Sequence, residues 1–97
     1  MPTYIGLARW TNQGLQNIKE SPSRLDAGRK AFEAAGAKLK EFYMVMGHYD
    51  MVIVTEAPDD VTLARAILAL ASKGNIQTET LRAFSEGEYR SIVSGLA

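Results

Sequence analysis

The tetrapeptide Gly47-His48-Tyr49-Asp50 holds the densest group of side chains that could move a proton. His48 is the only histidine, and because imidazole titrates near neutral pH it could act as a general base or as an axial haem ligand. The Tyr49 phenol could donate to a carbonyl or oxygen species, and the Asp50 carboxylate could accept a proton. Each also has a structural interpretation: Gly47 would take a positive φ in a hairpin turn, His48 would face solvent, Tyr49 would pack at a rim, and Asp50 would bind backbone N–H groups.

Three apolar or amphipathic side chains are candidates for lining a ligand cavity. Trp10 and Tyr43 each combine an apolar ring with a polar tip, and Met51 could complete an apolar wall beside them. Residues of these types also serve as core or interface residues, so both interpretations stay open at this point.

Two arginines are candidates for binding an anionic group. Arg9 and Arg82 fall in predicted strands, where a charge needs either a partner or a wet cavity. Each could orient an anionic ligand, or could form an ion pair with Glu41 or Glu79. Ion pairing is the interpretation that we favour from the sequence.

The charge balance and the cysteine and histidine counts exclude several classes of partner and of catalytic centre. Eleven Lys and Arg balance eleven Asp and Glu, so neither a nucleic acid nor an anionic membrane is an expected partner. With no cysteine and one histidine, thiolate chemistry and multi-histidine metal centres are excluded within one chain, and we expect no metal and no cofactor.

The sequence also has no run near the roughly 20 apolar residues of a membrane helix. It lacks a signal-peptide pattern as well, so we expect a soluble, cytoplasmic protein.

Hydrophobic periodicity and turn residues predict alternating strands and helices. Ser21 is the expected N-cap of the first long helix, Gly36 is its expected end, and Ser85 with Glu88 has the spacing of a capping box. Gly47-His48 is short enough to close a hairpin. The predicted elements are a strand over 3–11, a helical turn followed by a helix over 22–35, strands over 37–46 and 49–56, a helix that begins within 57–60 and runs to about 73, a strand over 76–84, and a C-terminal helix.

That order predicts one ferredoxin-like α+β domain over residues 1–97, with β-α-β-β-α-β topology, a four-stranded antiparallel sheet and a short C-terminal helix. The strands are apolar on both faces: Met51 and Ile53 alternate with Val52 and Val54. In the predicted strand over 37–46, strict alternation places Leu39, Tyr43 and Val45 on one face of the sheet and Phe42, Met44 and Met46 on the other face. Because helices can cover only one face, we expect the other to be covered by a second copy of the chain. The alternative is that the C-terminal helix folds over it.

Several sequence blocks span nearly the whole chain and have to be considered together. They are Pro2-Thr3-Tyr4-Ile5, Trp10-Thr11, Ile18-Lys19-Glu20-Ser21-Pro22, Glu41-Phe42-Tyr43, Gly47-His48-Tyr49-Asp50, Glu56-Ala57-Pro58-Asp59-Asp60, Gly74-Asn75 and Thr80-Leu81-Arg82-Ala83-Phe84. Together these blocks resemble the GYD family of small bacterial proteins. The resemblance implies the dimeric α/β-barrel group, in which two ferredoxin-like sheets pack face to face. Gly47, Tyr49 and Asp50 would then form the family's Gly-x-Tyr-Asp structural motif.

Three functions remain compatible with these residues, and the sequence leaves open whether the protein is an enzyme. The first is a homodimer, or a higher even-numbered oligomer, that binds a small apolar or aromatic ligand in the barrel cavity. The second is a cofactor-independent monooxygenase or isomerase acting on an activated aromatic or carbonyl compound, with His48, Tyr49 or Asp50 managing a proton. The third is a haem-binding barrel with His48 as the iron ligand.

Overall fold

Four antiparallel strands form one sheet in the order β2-β3-β1-β4, in a computed structural model that describes all 97 residues. The β-α-β-β-α-β order of the ferredoxin-like fold is confirmed, and so is the C-terminal helix. The strands are β1 (Thr3–Trp10), β2 (Lys38–Met44), β3 (Met51–Glu56) and β4 (Ile76–Ala83). The helices are α1 (Asn12–Gln16), α2 (Ser21–Ala34), α3 (Asp60–Ala71) and α4 (Glu86–Ser94), with a 3-10 turn at Ile18–Glu20.

The ends of most helices follow local rules that can be identified in the sequence. Gly36 ends the α2 segment with a φ of 91°, and Gly74 follows α3 with a φ of 83°. Asp59 caps α3 by accepting a hydrogen bond from the Thr62 backbone N–H, and the capping box of α4 is present. The prediction of Ser21 as an N-cap was wrong. The 3-10 turn leads into α2 without an extended residue between them, so Ser21 is already helical.

Helices α2 and α3 cover one face of the sheet, which we call the covered face. On β1 and β3 it carries Tyr4, Ala8, Met51 and Ile53, all nearly inaccessible to solvent. Because antiparallel partners share a face, the register extends this face across all four strands. The buried core consists of Tyr4, Ala8, Phe32, Ala37, Leu39, Met51, Ile53, Ala57, Leu63 and Ala66.

A β-bulge in β2 overturns the strict alternation predicted for that strand. The register jumps between Leu39 and Glu41, so that Leu39 lies opposite Thr55 and Phe42 lies opposite Ile53. Leu39 is therefore on the covered face together with Phe42, rather than on the opposite one. One extra residue in one strand reverses the parity of everything that follows it.

The hairpin between β2 and β3 is longer than the two-residue turn that the sequence indicated. The strands end at Met44 and resume at Met51, and the loop is closed where the Val45 backbone N–H donates to the Asp50 carbonyl at 2.8 Å. Gly47 has no positive φ, and a Cβ added there would meet nothing within 4 Å. The predicted conformational reason for Gly47 is therefore wrong.

The opposite face of the sheet, which we call the open face, has no helix over it. Its two central rows, read across β2, β3, β1 and β4, follow from the register, and both contain mostly apolar side chains. Helix α4 makes no substantial contact with any other helix or strand, so the C-terminal helix does not cover this face within one subunit. The rows are Glu41, Val54, Ile5 and Leu81, and then Tyr43, Val52, Leu7 and Glu79.

Candidate functional site

The polar groups of the open face gather at the hairpin end of the sheet, around Tyr49. The Tyr49 hydroxyl donates a short hydrogen bond to the Glu79 carboxylate on β4. The guanidinium carbon of Arg9 lies 4.9 Å from the centre of the Tyr49 ring, in a cation–π arrangement. Arg9 also donates from Nε to the His48 carbonyl at 2.7 Å. We call these three side chains, Arg9, Tyr49 and Glu79, the Tyr49 cluster.

The Glu79 carboxylate determines the acid–base behaviour of this cluster. Its hydrogen bond with the phenol, together with desolvation and its negative charge, raises the pKa of Tyr49, whereas the Arg9 charge acts in the opposite direction. Tyr49 is therefore a neutral hydrogen-bond donor at neutral pH, not a phenolate base.

The cluster borders a shallow depression of about 180 Å³ on the open face. Leu7 and Gln77 also line it, so it joins the apolar rows to a polar end. In chemical terms the site offers one planar cation, one phenol and one carboxylate beside an aliphatic wall, an arrangement that can orient a small partly polar molecule.

Asp50 belongs to the backbone framework beneath the cluster. Its carboxylate accepts a hydrogen bond from the Trp10 backbone N–H at 3.0 Å, and its own N–H donates to the Ala8 carbonyl at 2.9 Å. These two bonds attach the hairpin to the end of β1 and so hold Tyr49 in position over the open face.

The His48 side chain lies outside these interactions. Its carbonyl, rather than its imidazole, binds Arg9, and the exposed imidazole packs edge-on against the Tyr49 ring with centroids 5.1 Å apart. No group of three or more histidine, aspartate and glutamate side chains is arranged to hold a metal ion.

The structure separates the five residues predicted to bind a ligand. Arg9 and Tyr43 lie on the open face, where the Tyr43 hydroxyl donates to Glu41 at 2.8 Å. That hydrogen bond raises the pKa of Tyr43. Trp10 and Met51 lie on the covered face and line an apolar cavity beneath the helices. They cannot form one site with Tyr43, because the sheet itself lies between them.

Arg82 occupies a third position, on the covered face near the start of α4. Its guanidinium lies over the rings of Tyr4 and Phe84, at 5.6 and 4.5 Å from their centres, and it is 3.9 Å from Glu88. Arg9 forms no ion pair. Arg82 therefore forms an ion pair, as favoured from the sequence, but with Glu88. The predicted partners, Glu41 and Glu79, were wrong for both arginines.

Sequence reasoning missed Glu79 as the partner of Tyr49, as well as the nearby Gln77. A signal was available, since the alternation of β4 places Gln77, Glu79 and Leu81 on one face. The hairpin had to be placed correctly before that face could be connected with Tyr49, which is 30 residues away in the sequence.

The four-stranded antiparallel sheet, with helices on one face only, defines a ferredoxin-like α+β protein. The feast or famine regulatory protein of M. tuberculosis, solved in complex with L-methionine, shares this fold with a TM-score of 0.67 at 12% sequence identity. The match covers 88% of this chain and 51% of the regulator, so the chain spans about half the length of that protein.

The chain belongs to the GYD domain family, whose model matches residues 4–93. It is 40% identical over 84 residues to the glutamine synthetase and cystathionine beta-lyase binding protein of Thermus thermophilus, with 86% of this chain and 88% of the relative covered. It also resembles the crystal structure of TTHA0845 from the same organism, with a TM-score of 0.57, 26% identity, and coverage of 88% of this chain and 95% of the other. None of the helices is both long and apolar enough to cross a bilayer.

Proposed function

We propose that this GYD protein is a cytoplasmic homodimer, or a higher even-numbered oligomer, that binds a small apolar or aromatic ligand between the open faces of paired sheets. The observation that carries the proposal is the uncovered apolar surface formed by Ile5, Leu7, Val52 and Val54 in the centre of the open face. Because these side chains are already partly buried in the single subunit, covering the rest of each one contributes less than the roughly 1.5 to 3 kcal/mol of a fully exposed side chain. A monomer would leave them all in contact with water.

Helix α4 supports the same assembly. On α4, Tyr89, Ile92 and Val93 lie at i, i+3 and i+4, and Leu96 follows the end of the helix. All four are exposed in the single subunit, Leu96 at 72%. An amphipathic helix with an unburied apolar side is stable only when that side finds a partner. In an assembly, α4 would pack against the neighbouring subunit.

The Tyr49 cluster gives the enclosed space its polar end. The Arg9 guanidinium can donate to a carbonyl or carboxylate oxygen of a ligand, whereas the Tyr49 hydroxyl, whose proton is donated to Glu79, can accept a hydrogen bond from a ligand donor. The aliphatic rows beside them suit a hydrocarbon or aromatic body. The ligand would therefore be a small molecule with one polar end.

Native mass spectrometry of protein purified from its own host tests the assembly and the ligand together. The expected result is an even-numbered oligomer with additional mass that is released on denaturation. Tyr49→Phe should lower the retained ligand without changing the subunit count, and Tyr89→Phe is the matched control. A monomeric protein would contradict the proposed assembly, and an oligomer that neither retains nor takes up a small molecule would contradict the ligand.

A second candidate function is the binding of an enzyme of amino-acid metabolism, which the 40% identical relative favours because its name describes binding to glutamine synthetase and cystathionine beta-lyase. Size-exclusion chromatography of this protein mixed with each purified enzyme from its own host tests this function. Co-elution is expected with at least one of them. Separate elution of both enzymes across micromolar concentrations would count against it.

A further inference from the structure

A partly open apolar pocket lies on the covered face of the sheet, away from the Tyr49 cluster. It is an apolar cavity of about 100 Å³ between the sheet and helices α2 and α3. Its apolar lining includes Trp10, Leu25, Phe42, Met51, Leu70 and Ile76. Trp10, Leu25, Phe42, Leu70 and Ile76 are only partly buried, so the hydrocarbon walls are not closed by packing within the chain.

The polar residues that line this cavity are basic or neutral. They are Ser21, Arg24, Lys73 and Asn75, and no acidic side chain is among the lining residues. Lys73 is exposed and therefore lies at the solvent end of the cavity. Neither Arg24 nor Lys73 forms an ion pair, so two positive charges border an apolar space without a counter-charge.

Backbone contacts hold the Arg24 charge in place. Its Nη1 donates to the Asn17 carbonyl at 2.8 Å and its Nη2 donates to the Gly14 carbonyl at 3.3 Å. These two acceptors are neutral, so the guanidinium keeps its full charge and further donors for an anion. A fixed arginine costs less entropy on binding than a mobile one.

We propose that this cavity binds a small aliphatic monocarboxylate, with its hydrocarbon tail between Trp10 and Leu70 and its carboxylate between Arg24 and Lys73. Apolar cavities of about 150 Å³ take up benzene, so a space of about 100 Å³ fits a branched chain of roughly four or five carbons. Arginine and lysine at the mouth select the ionised acid over neutral molecules of the same shape. This site is independent of the proposed ligand between the open faces, because the sheet separates the two.

The protein carries its own reporter for this site, since Trp10 is the only tryptophan. Titration with 4-methylpentanoate at neutral pH should give a saturable change in Trp10 emission. The matched neutral ligand 4-methylpentanamide should bind about fivefold or more weakly, as expected for the loss of one near-surface charge interaction. Removing one methylene, in 3-methylbutanoate, should weaken binding about fourfold.

Lys73→Gln tests the charge without threatening the fold, because the Lys73 side chain is exposed and its carbonyl, which accepts from Gln13 at 3.0 Å, is kept. The variant should lose severalfold in affinity for 4-methylpentanoate and keep its affinity for the amide. Lys30→Gln, which replaces an exposed lysine that does not line the cavity, should bind both ligands as the unmodified protein does. The proposal is overturned by an emission that does not respond to the acid, by equal affinities for acid and amide, or by an unchanged affinity in Lys73→Gln.

Discussion

The covered and open faces of the sheet are built from similar residues and are in different environments. On β3, Met51 and Ile53 are 4% and 8% exposed beneath the helices, whereas Val52 and Val54, on the same strand, remain partly exposed. The exposure of the two sets of side chains differs because α2 and α3 pack over the covered face and no helix packs over the open face. The covered face has its partner in the same chain, and the open face has no helix of this chain over it.

The polar groups of the two faces differ in a related way. On the covered face Tyr4 donates to Asp60 at the start of α3, a contact that links the sheet to a helix. On the open face Tyr49 donates to Glu79 on a strand of the same sheet, so this contact runs along the sheet surface. The tyrosine–carboxylate hydrogen bond of the covered face therefore joins the sheet to a helix, whereas that of the open face joins two parts of the sheet and has no helix over it.

Phe32→Ala is expected to produce the largest effect, because it empties a core position on α2, the helix that packs over the covered face. The Phe32 side chain is 3% exposed, and such a truncation costs about 3–5 kcal/mol of unfolding free energy. Leu68→Ala is the control, since Leu68 is 68% exposed and its truncation should cost less than about 0.5 kcal/mol. Urea denaturation measures both, and similar losses in the two variants would mean that the covered face is not the core.

Val54→Asp tests whether the open face is an interface. A carboxylate in the centre of an apolar contact is buried without a partner, so self-association should weaken by a factor of about 100 or more. Sedimentation equilibrium measures the change, and far-UV circular dichroism should be unaffected. Val61→Asp, at an exposed position of α3, is the matched control and should associate normally. An oligomer that persists unchanged in Val54→Asp would place the interface elsewhere.

Gly14→Ala probes the close contact between α1 and the loop that precedes β4. A Cβ on Gly14 would lie 2.2 Å from the Asn75 carbonyl oxygen, and that backbone atom also accepts from the Thr11 N–H at 3.0 Å. Overpacking of this kind costs about 1–3 kcal/mol. Gly47→Ala is the control, with open space around it and no positive φ, and thermal unfolding should separate the two variants. A larger loss at Gly47 than at Gly14 would contradict this account.

The smallest expected effect is a shift in tyrosine titration, and it distinguishes the two faces directly. The hydrogen bond to Asp60 raises the pKa of Tyr4, and the one to Glu79 raises the pKa of Tyr49. Glu79→Gln should therefore lower the pKa of Tyr49 alone, and Asp60→Asn should lower that of Tyr4 alone. Carbon-13 NMR of the labelled tyrosine rings across alkaline pH measures both, and a shift of both residues in either variant would show that the faces are coupled.

Local rules in the sequence predicted the element order well. The turn glycines at 36 and 74 and the capping box at Ser85 act over a few residues, so their outcome does not depend on distant parts of the chain. The predictions for β2 and for its hairpin failed because the structure there depends on pairing with another strand. The bulge before Glu41 and the long hairpin both depend on pairing with β3, and no local residue pattern in β2 specified that register.

The same division applies to the candidate site. The residue types of the hairpin indicated that Tyr49 and Asp50 should be considered, but the partners of Tyr49 come from β1 and β4. Arg9 lies 40 residues before Tyr49 in the sequence and Glu79 lies 30 residues after it. Arg9, Tyr49 and Glu79 come together only because β3, β1 and β4 are adjacent in the sheet. A prediction that considered each residue separately could not place them in one site.

By itself, the sequence determined the ferredoxin-like order of elements, most of the helix ends, and the apolar character of both sheet faces, because periodicity and capping act within a few residues. Only the tertiary structure decided which face α2 and α3 cover, that α4 leaves the other face open, and that Trp10 and Met51 are separated from Tyr43 by the sheet. The physical reason is that the face on which a strand residue lies depends on the register of its neighbours. A single bulge changes that register without changing the composition.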